Sequence, residues 1–349
     1  VTASLEVDLD AFGANLSRIQ SVADSATVML VVKDDAYGHG LAPIVRRAWT
    51  EGIRWIGAFD VRTGLAIRAL LGADARIFIW ISASPADALA AVAADLDIGV
   101  GDAQVLEEVA AAAATLDARA RVHLKIDTGL HRNGVRPESW PAFTARARIL
   151  EERGSLDVVG IWSHIAEASD EEDDAAREVF DQAIAVARRT GLEPRVRHLA
   201  ASAASFARPE FRYDLVRVGA FAYGIAPAGG PSADELGIRP IATLRADVTT
   251  VHGELVHIGI GSLNGVPSTL AGRVDVATPE GARRVVAIHE LHSVIEGWPS
   301  AGVGDTVAVY GPADTAPYSA TALAETIGTI GEQIAVRLSP GIARVYRGR

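Results

Sequence analysis

Val28-Met29-Leu30-Val31-Val32-Lys33 is a short, almost continuously apolar run that stops on a lysine. A strand with one face in water alternates apolar and polar residues, so an uninterrupted run marks a strand covered on both faces. Runs of the same kind recur at residues 55–59, 76–80, 97–100, 122–127, 158–164, 196–199 and 215–218, separated by segments of helical length and apolar spacing. Eight such β/α units in one domain predict an α/β fold built as a parallel (β/α)8 barrel. An open doubly wound sheet shares the alternation, and periodicity alone does not separate the two.

Beyond Pro227 the pattern changes to closely spaced strands without long helices, at residues 242–252, 255–259, 272–277, 284–288 and 306–310. This predicts a smaller, mostly β C-terminal domain, joined through the turn-rich Gly229-Gly230-Pro231. Residues 5–9 read as a further strand, and Asp10 is placed to cap a helix beginning at Ala11. The expected division is a barrel over residues 9–227 and a β domain from residues 1–8 plus 228–349.

The chain has 349 residues, 49% of them apolar and 22% charged, enough to bury a sizeable core. A formal net charge of -11 without a basic run gives no basis for holding a phosphate backbone or a membrane surface. Neither nucleic acid nor membrane is an expected partner. With no cysteine there is no disulfide framework and no thiolate metal site, and none of the apolar runs is long enough to span a bilayer. The N-terminus carries no charged-then-apolar leader pattern, so a cytoplasmic protein without a metal centre is expected.

In a parallel barrel, catalytic groups sit where the strands end, because the loops leaving the carboxyl ends share one rim. Lys33 ends the first predicted barrel strand; Lys125 and Asp127 end the fifth; Ser163 and His164 end the sixth. His198 and Ser202 follow the seventh, and Arg217 and Gly219 end the eighth. A strand-end lysine is commonly a solvated charge and a lone histidine commonly a core residue. Five polar rims out of eight point instead to a shared pocket.

Val32-Lys33-Asp34-Asp35-Ala36-Tyr37-Gly38-His39-Gly40 resembles the pyridoxal-phosphate signature of the alanine racemase family, with Asp34 where a small residue is usual. Lys125-Ile126-Asp127-Thr128-Gly129-Leu130-His131-Arg132 continues the resemblance in the right order. The likeness implies pyridoxal 5′-phosphate as cofactor, Lys33 as its Schiff-base lysine, and Tyr37 on its phosphate. It implies Arg132 on the cofactor's phenolic oxygen and the substrate carboxylate side, and Lys125, often carbamylated in the family, orienting that arginine. The bland reading of Lys125 is an ion pair with Asp127. His164 matches the ring that stacks on the pyridine. Ser202 is kept in the phosphate-binding turn although Ala201 stands for the usual asparagine, and Gly219 and Ala220 supply backbone N–H groups. Arg217 matches the arginine that faces the pyridine nitrogen in racemases, where related decarboxylases place a glutamate; a guanidinium there makes the ring a weaker electron sink and suits reversible proton transfer at Cα. A small amino acid as substrate and a head-to-tail homodimer follow by the same resemblance.

The resemblance covers residues 5–225 well and the β domain loosely. Racemisation uses a base on each face of a planar carbon, and the family's second base is a tyrosine in a Ser-Tyr-Gly segment. Here the corresponding text is Thr249-Thr250-Val251-His252-Gly253-Glu254. The family's Gly-Tyr-Ala-Asp-Gly becomes Gly259-Ile260-Gly261-Ser262-Leu263-Asn264-Gly265, its Cys-Met-Asp falls near His289-Glu290-Leu291-His292, and its C-terminal phosphate tyrosine aligns with Glu332. Three readings stay open. Alanine racemisation can persist with a substitute base, for which His257, His289, His292 and Glu290 are the candidates. A remodelled mouth can support another pyridoxal-phosphate reaction, such as a lyase or decarboxylase acting on a different amino acid. Or the chain binds the cofactor without turnover.

Overall fold

The structure is a computed structural model that describes residues 2–167 and 169–348. Its strands are β1 (Ala3–Asp8), β2 (Thr27–Val31), β3 (Trp55–Asp60), β4 (Arg76–Ile81), β5 (Asp97–Val100), β6 (Ala120–Lys125), β7 (Leu156–Trp162), β8 (Val196–His198) and β9 (Leu215–Val218), followed by β10 (Ala242–His252), β11 (Leu255–Ile258), β12 (Asp275–Thr278), β13 (Gly281–Ile288), β14 (Ser293–Glu296), β15 (Thr306–Tyr310) and β16 (Ala343–Arg347). The chain divides into two compact units. One comprises Val1–Arg18, Asp34–Arg47 and Ala220–Arg349; the other comprises Ile19–Lys33 and Ala48–Gly219.

The second of these units holds eight parallel strands in the order β8-β7-β6-β5-β4-β3-β2-β9. Its outer strands come together: the Asp214 N–H donates to Arg197 O (3.1 Å) and the Arg217 N–H to Ala200 O (3.2 Å). The sheet therefore curls into a near-barrel, and the open doubly wound alternative is set aside. Every residue of β5 and of β9 is buried, as expected of strands covered on both faces, including the charged Asp97 and Arg217. Connections are short because residues at strand ends also start helices: the Asp60 carboxylate, closing β3, accepts from the Thr63 N–H and caps the helix Val61–Leu71. Ser84 and Asp102 do the same for Pro85–Ala93 and Ala103–Thr115. Met29, Phe78, Trp162 and Leu215 form a core cluster against which Trp55, Trp80 and Val196 pack, with Phe78 and Trp162 perpendicular at 5.2 Å.

The other unit is built on an eight-stranded sheet, β11-β14-β13-β12-β15-β10-β1-β16, antiparallel except where β1 pairs with β16. The long β10 serves three partners: its first half lies between β1 and β15, and from Val248 on, with a register shift between Val248 and Thr250, it pairs with β11. β14 and β16 escape a reading by pattern. β14 is four residues long, and β16 is an arginine-flanked strand at the sheet edge, so neither shows a sustained apolar face.

Asp10 does not cap the first helix. That helix runs Leu9–Ala23, and the Asp8 carboxylate accepts from the Asp10 and Ala11 N–H groups, both at 2.9 Å. Asp10 pairs with Arg47 instead (2.9 Å). The strand ends one residue earlier than its apolar pattern suggests because Leu9 already has helical backbone. Asp8→Ala is expected to lower the unfolding free energy by about 1 kcal/mol, whereas Asp10→Ala, losing a largely exposed pair, should cost about half a kcal/mol or less. Urea denaturation of both variants measures the difference.

Candidate active site

Lys33 begins a stretch that elementary sterics disfavours. Asp34, Asp35, Ala36 and Tyr37 all have φ between 53° and 56°, a left-handed turn without a glycine. For L-residues such a conformation costs about 1–2 kcal/mol each. It is held by backbone bonds from Gly38 N–H to Asp34 O (2.8 Å) and Gly40 N–H to Asp35 O (2.9 Å), and by the Asp35 carboxylate accepting from the Leu41 N–H (2.8 Å). Arg344 Nε–H donates to Gly38 O (3.0 Å) and the Tyr346 hydroxyl to His39 O (3.1 Å). Buried Tyr37 and His39 both pack on the Tyr223 ring, at 4.8 and 5.0 Å. At Gly40 a Cβ would fall 2.0 Å from the Tyr346 hydroxyl oxygen, so the turn needs glycine there. Backbone strain of this kind survives where the surroundings over-determine it.

In the near-barrel, Lys125 is the last residue of β6, and its ammonium lies 4.5 Å from the centre of the Trp162 ring. It does not pair with Asp127. That carboxylate accepts from His131 Nδ1–H (3.0 Å) and from the Gly129 and His131 backbone N–H groups (3.1 Å each), which turns the loop after β6 back on itself. Burial, then the charges of Arg217 and Arg132, lowers the Lys125 amine to about 8. Arg132 stands exposed in the same loop.

Ser163 and His164 follow β7. The Ser163 hydroxyl donates to Ile126 O (2.7 Å) and accepts from the Thr128 hydroxyl (2.9 Å), closing the rim between β6 and β7. Desolvation, followed by the charges of Arg217, Arg132, Lys125 and Lys33, drops His164 to about 3. Its ring is therefore neutral at ordinary pH. Arg217, wholly buried, donates through Nη1 to His198 O (3.0 Å) and His198 Nδ1 (3.0 Å), and through Nη2 to Ser163 O (2.8 Å) and Leu199 O (3.0 Å). Burial lowers it to about 10, against the opposing charge of Glu167. Ser202 opens the helix Ser202–Ala207, and its hydroxyl accepts from the Gly219 N–H (3.2 Å).

Of the predicted residues, Lys33, Arg132, His164, Ser202, Arg217 and Gly219 thus belong to the near-barrel unit, while Tyr37 and Ala220 are counted with the β unit. Glu332, in the helix Gly331–Val336, acts on Tyr37 through its charge: burial raises the phenol first, and the Glu332 and Asp34 carboxylates raise it further. The β unit also carries an array that the sequence reading only half found. His252, His257, His292 and His289 stand in a row with ring centres 5.6, 4.9 and 4.6 Å apart, the last two pairs stacked. Among the described residues no group of three or more such side chains could hold a metal ion. Slight burial and its three histidine neighbours lower His257.

A parallel β/α near-barrel whose strand ends converge an amine, a buried guanidinium and a neutral imidazole is that of a barrel enzyme with its polar groups at the carboxyl rim. The family model described as alanine racemase, N-terminal domain, matches residues 7–227. An alanine racemase of Thermobifida fusca is 36% identical over 372 aligned residues, covering 99% of this chain and 98% of that one. Solved alanine racemases from Streptomyces lavendulae and Streptomyces coelicolor superpose with TM-scores of 0.95 and 0.96 at 33% identity, each covering 100% of this chain and 98% of the other. The chain belongs to the alanine racemase family, whose members use pyridoxal 5′-phosphate. The family resemblance and the two-part fold read from the sequence both hold.

Gly40→Ala is expected to destabilise the protein by about 2–3 kcal/mol in denaturant titration, since both its φ of 95° and the Tyr346 hydroxyl oppose a side chain. Lys125 supplies a second test. Its folded pKa lies below the ordinary lysine value of 10.5, so above about pH 8 the unfolded chain binds the proton that the folded one has released. Stability should therefore rise between pH 8 and 10.5 relative to Lys125→Met, in parallel urea series; equal slopes would contradict the shift.

Proposed function

We propose that this chain binds pyridoxal 5′-phosphate and interconverts the enantiomers of a small amino acid, alanine being the substrate the reading favours. The observation that carries it is Arg217: a buried guanidinium fixed by four acceptors at the rim, in a family match that spans the whole chain. The near-barrel's residues fit the cofactor. Lys33, Lys125, Arg132 and Arg217 set a positive field, felt at His164, that suits a phosphate and a carboxylate. The Ser202 hydroxyl and the peptide running from Gly219 to Ala220 offer donors of the kind that anion-binding turns use. Glu332 is the exception, since a carboxylate acting on Tyr37 disfavours a dianion beside that phenol.

When bound, the cofactor would supply an electron sink that acidifies the substrate's Cα–H. Lys33 anchors it and takes or returns the Cα proton at Nζ on one face. Arg132 orients the substrate carboxylate, and the neutral His164 ring stacks on the heterocycle. Arg217 would face the ring nitrogen as a donor and disfavour its protonation, making the bound group a weaker electron sink. Tyr37, Ser202, Gly219 and Ala220 hold the phosphate. The second face needs another base, and the histidine array supplies groups with suitable acidity; His257, held below its usual value, is neutral and able to accept a proton at neutral pH. We place this array at the mouth of a second subunit's barrel, in a cytoplasmic homodimer whose working division is residues 9–227 for cofactor binding and 1–8 plus 228–349 for closure. The lyase and non-catalytic readings gain no support from the comparisons.

Incubation of the cofactor-loaded protein with L- and D-alanine in deuterium oxide tests the proposal directly. Exchange of the α-proton with inversion is expected, with Lys33→Ala losing more than about a thousandfold; His257→Ala should slow one direction of exchange more than the other. Exchange with retention, or none with any small amino acid, overturns racemisation.

A further inference from the structure

Inside the near-barrel, four buried residues join in a single file. Arg217 Nη1 meets His198 Nδ1 at 3.0 Å, His198 Nε2 meets His123 Nδ1 at 2.9 Å, and His123 Nε2 meets Asp97 Oδ1 at 3.3 Å. Asp97 opens β5, so the file runs from the carboxyl rim, where Arg217 ends β9, to the opposite end of the strands. There Arg76 Nε–H and Nη2–H donate to both Asp97 oxygens (3.0 and 2.5 Å) and Arg121 lies at 3.3 Å.

The protons in this file can be placed from either end, and both give the same answer. A guanidinium only donates, so His198 Nδ1 accepts and its single proton sits on Nε2. An ionised carboxylate only accepts, so His123 donates from Nε2 and its Nδ1 is bare. The bond between the rings then runs from His198 Nε2–H to His123 Nδ1, as the geometry requires. A proton added to either ring would set donor against donor. Burial lowers both imidazoles, and the bonds from His123 and Arg76 outweigh burial to hold Asp97 far below the usual carboxylate range. Gly160 leaves the space: a Cβ there would lie 2.4 Å from His123 Nδ1.

We propose that Asp97, His123 and His198 are positioning residues for Arg217, a one-way hydrogen-bond relay by which a carboxylate at the far end of the barrel fixes the orientation and tempers the charge of the guanidinium presented to the cofactor ring. Each bond polarises the next in a low-dielectric interior, so the anion acts on Arg217 over a distance at which water would screen it. Replacing Asp97 by asparagine lets the amide donate to His123 Nε2. The Arg217 end still requires His198 Nδ1 to accept, so the tautomers hold only if the amide turns its oxygen to His123; either way the negative charge at the far end of the file is lost. The consequence at the cofactor rests on the proposed function; the relay itself does not.

The test uses the full chain with 15N-labelled histidine. In the wild type at neutral pH, His123 and His198 should both be neutral and protonated on Nε2 alone; a proton on Nδ1 of either ring, or on both nitrogens, overturns the relay. With pyridoxal phosphate added, Asp97→Asn should lower the pH midpoint of the bound cofactor's absorbance by about one unit, while kcat falls and KM changes by less than about twofold. His123→Phe, which leaves Asp97 with Arg76, should move the midpoint in the same direction and decides the matter together with the wild-type spectrum if Asp97→Asn does not fold. A folded variant whose midpoint stays at the wild-type value overturns the proposal. A chain that takes up no cofactor overturns the proposed function, and the tautomers still decide the relay.

Discussion

A guanidinium buried without a direct carboxylate partner must find enough acceptors, and Arg217 finds them in the carbonyls at the ends of β7 and β8. Burying a charge otherwise costs several kcal/mol even after relaxation. Because the acceptors lie on β7 and β8 and the donor on β9, satisfying the charge also joins strands across the place where the sheet closes on itself. Hydrogen-bond pairing between β8 and β9 is sparse, so the side chain does there part of what a ladder does elsewhere. The barrel's closure and the chemistry of its rim thus depend on the same group.

The rest of the rim is arranged by that charge. Arg217 is the largest charge contribution to both the low proton affinity of His164 and the softened basicity of Lys125. A neutral imidazole and a lysine part-deprotonated near neutral pH follow from burial in that field, and neither arises from the residue's own chemistry. The left-handed turn after Lys33 adds a mechanical element, since four strained residues persist only because Arg344, Tyr346 and Tyr223 pin them. Strain and shifted acidity gather at the residues proposed to act.

The departures from the family pattern gather elsewhere. Whole-length similarity leaves the fold intact, while the segment at 249–265 lacks the tyrosines of the resemblance, 289–292 lacks its Cys-Met-Asp, and both carry histidines. β10 and β11 are joined by a tight turn at Gly253, and the β14 edge brings His292 beside His257. A tyrosine base works through a lowered phenol, whereas an imidazole needs no such help at neutral pH.

The sequence by itself determined the strand pattern and the order of the rim residues, because buried parallel strands are almost continuously apolar and functional groups must stand where they end; the cofactor was implied only by the family resemblance of residues 32–40 and 125–132. Lys33, His164 and Arg217 were legible for that reason. The sequence also marked His257, His289 and His292 but not their stacking on one another, nor the edge contact of His252 with His257. Other features were decided only by tertiary structure. Asp8 rather than Asp10 caps the first helix, Asp127 turns to His131 rather than to Lys125, and Tyr37 answers to Glu332, almost 300 positions away. The Asp97–His123–His198 file was invisible for the same cause: each of its members is an ordinary polar residue on its own strand. Closing the sheet sets them within hydrogen-bond reach, and only the exclusion of water from that interior makes their order of donors and acceptors binding.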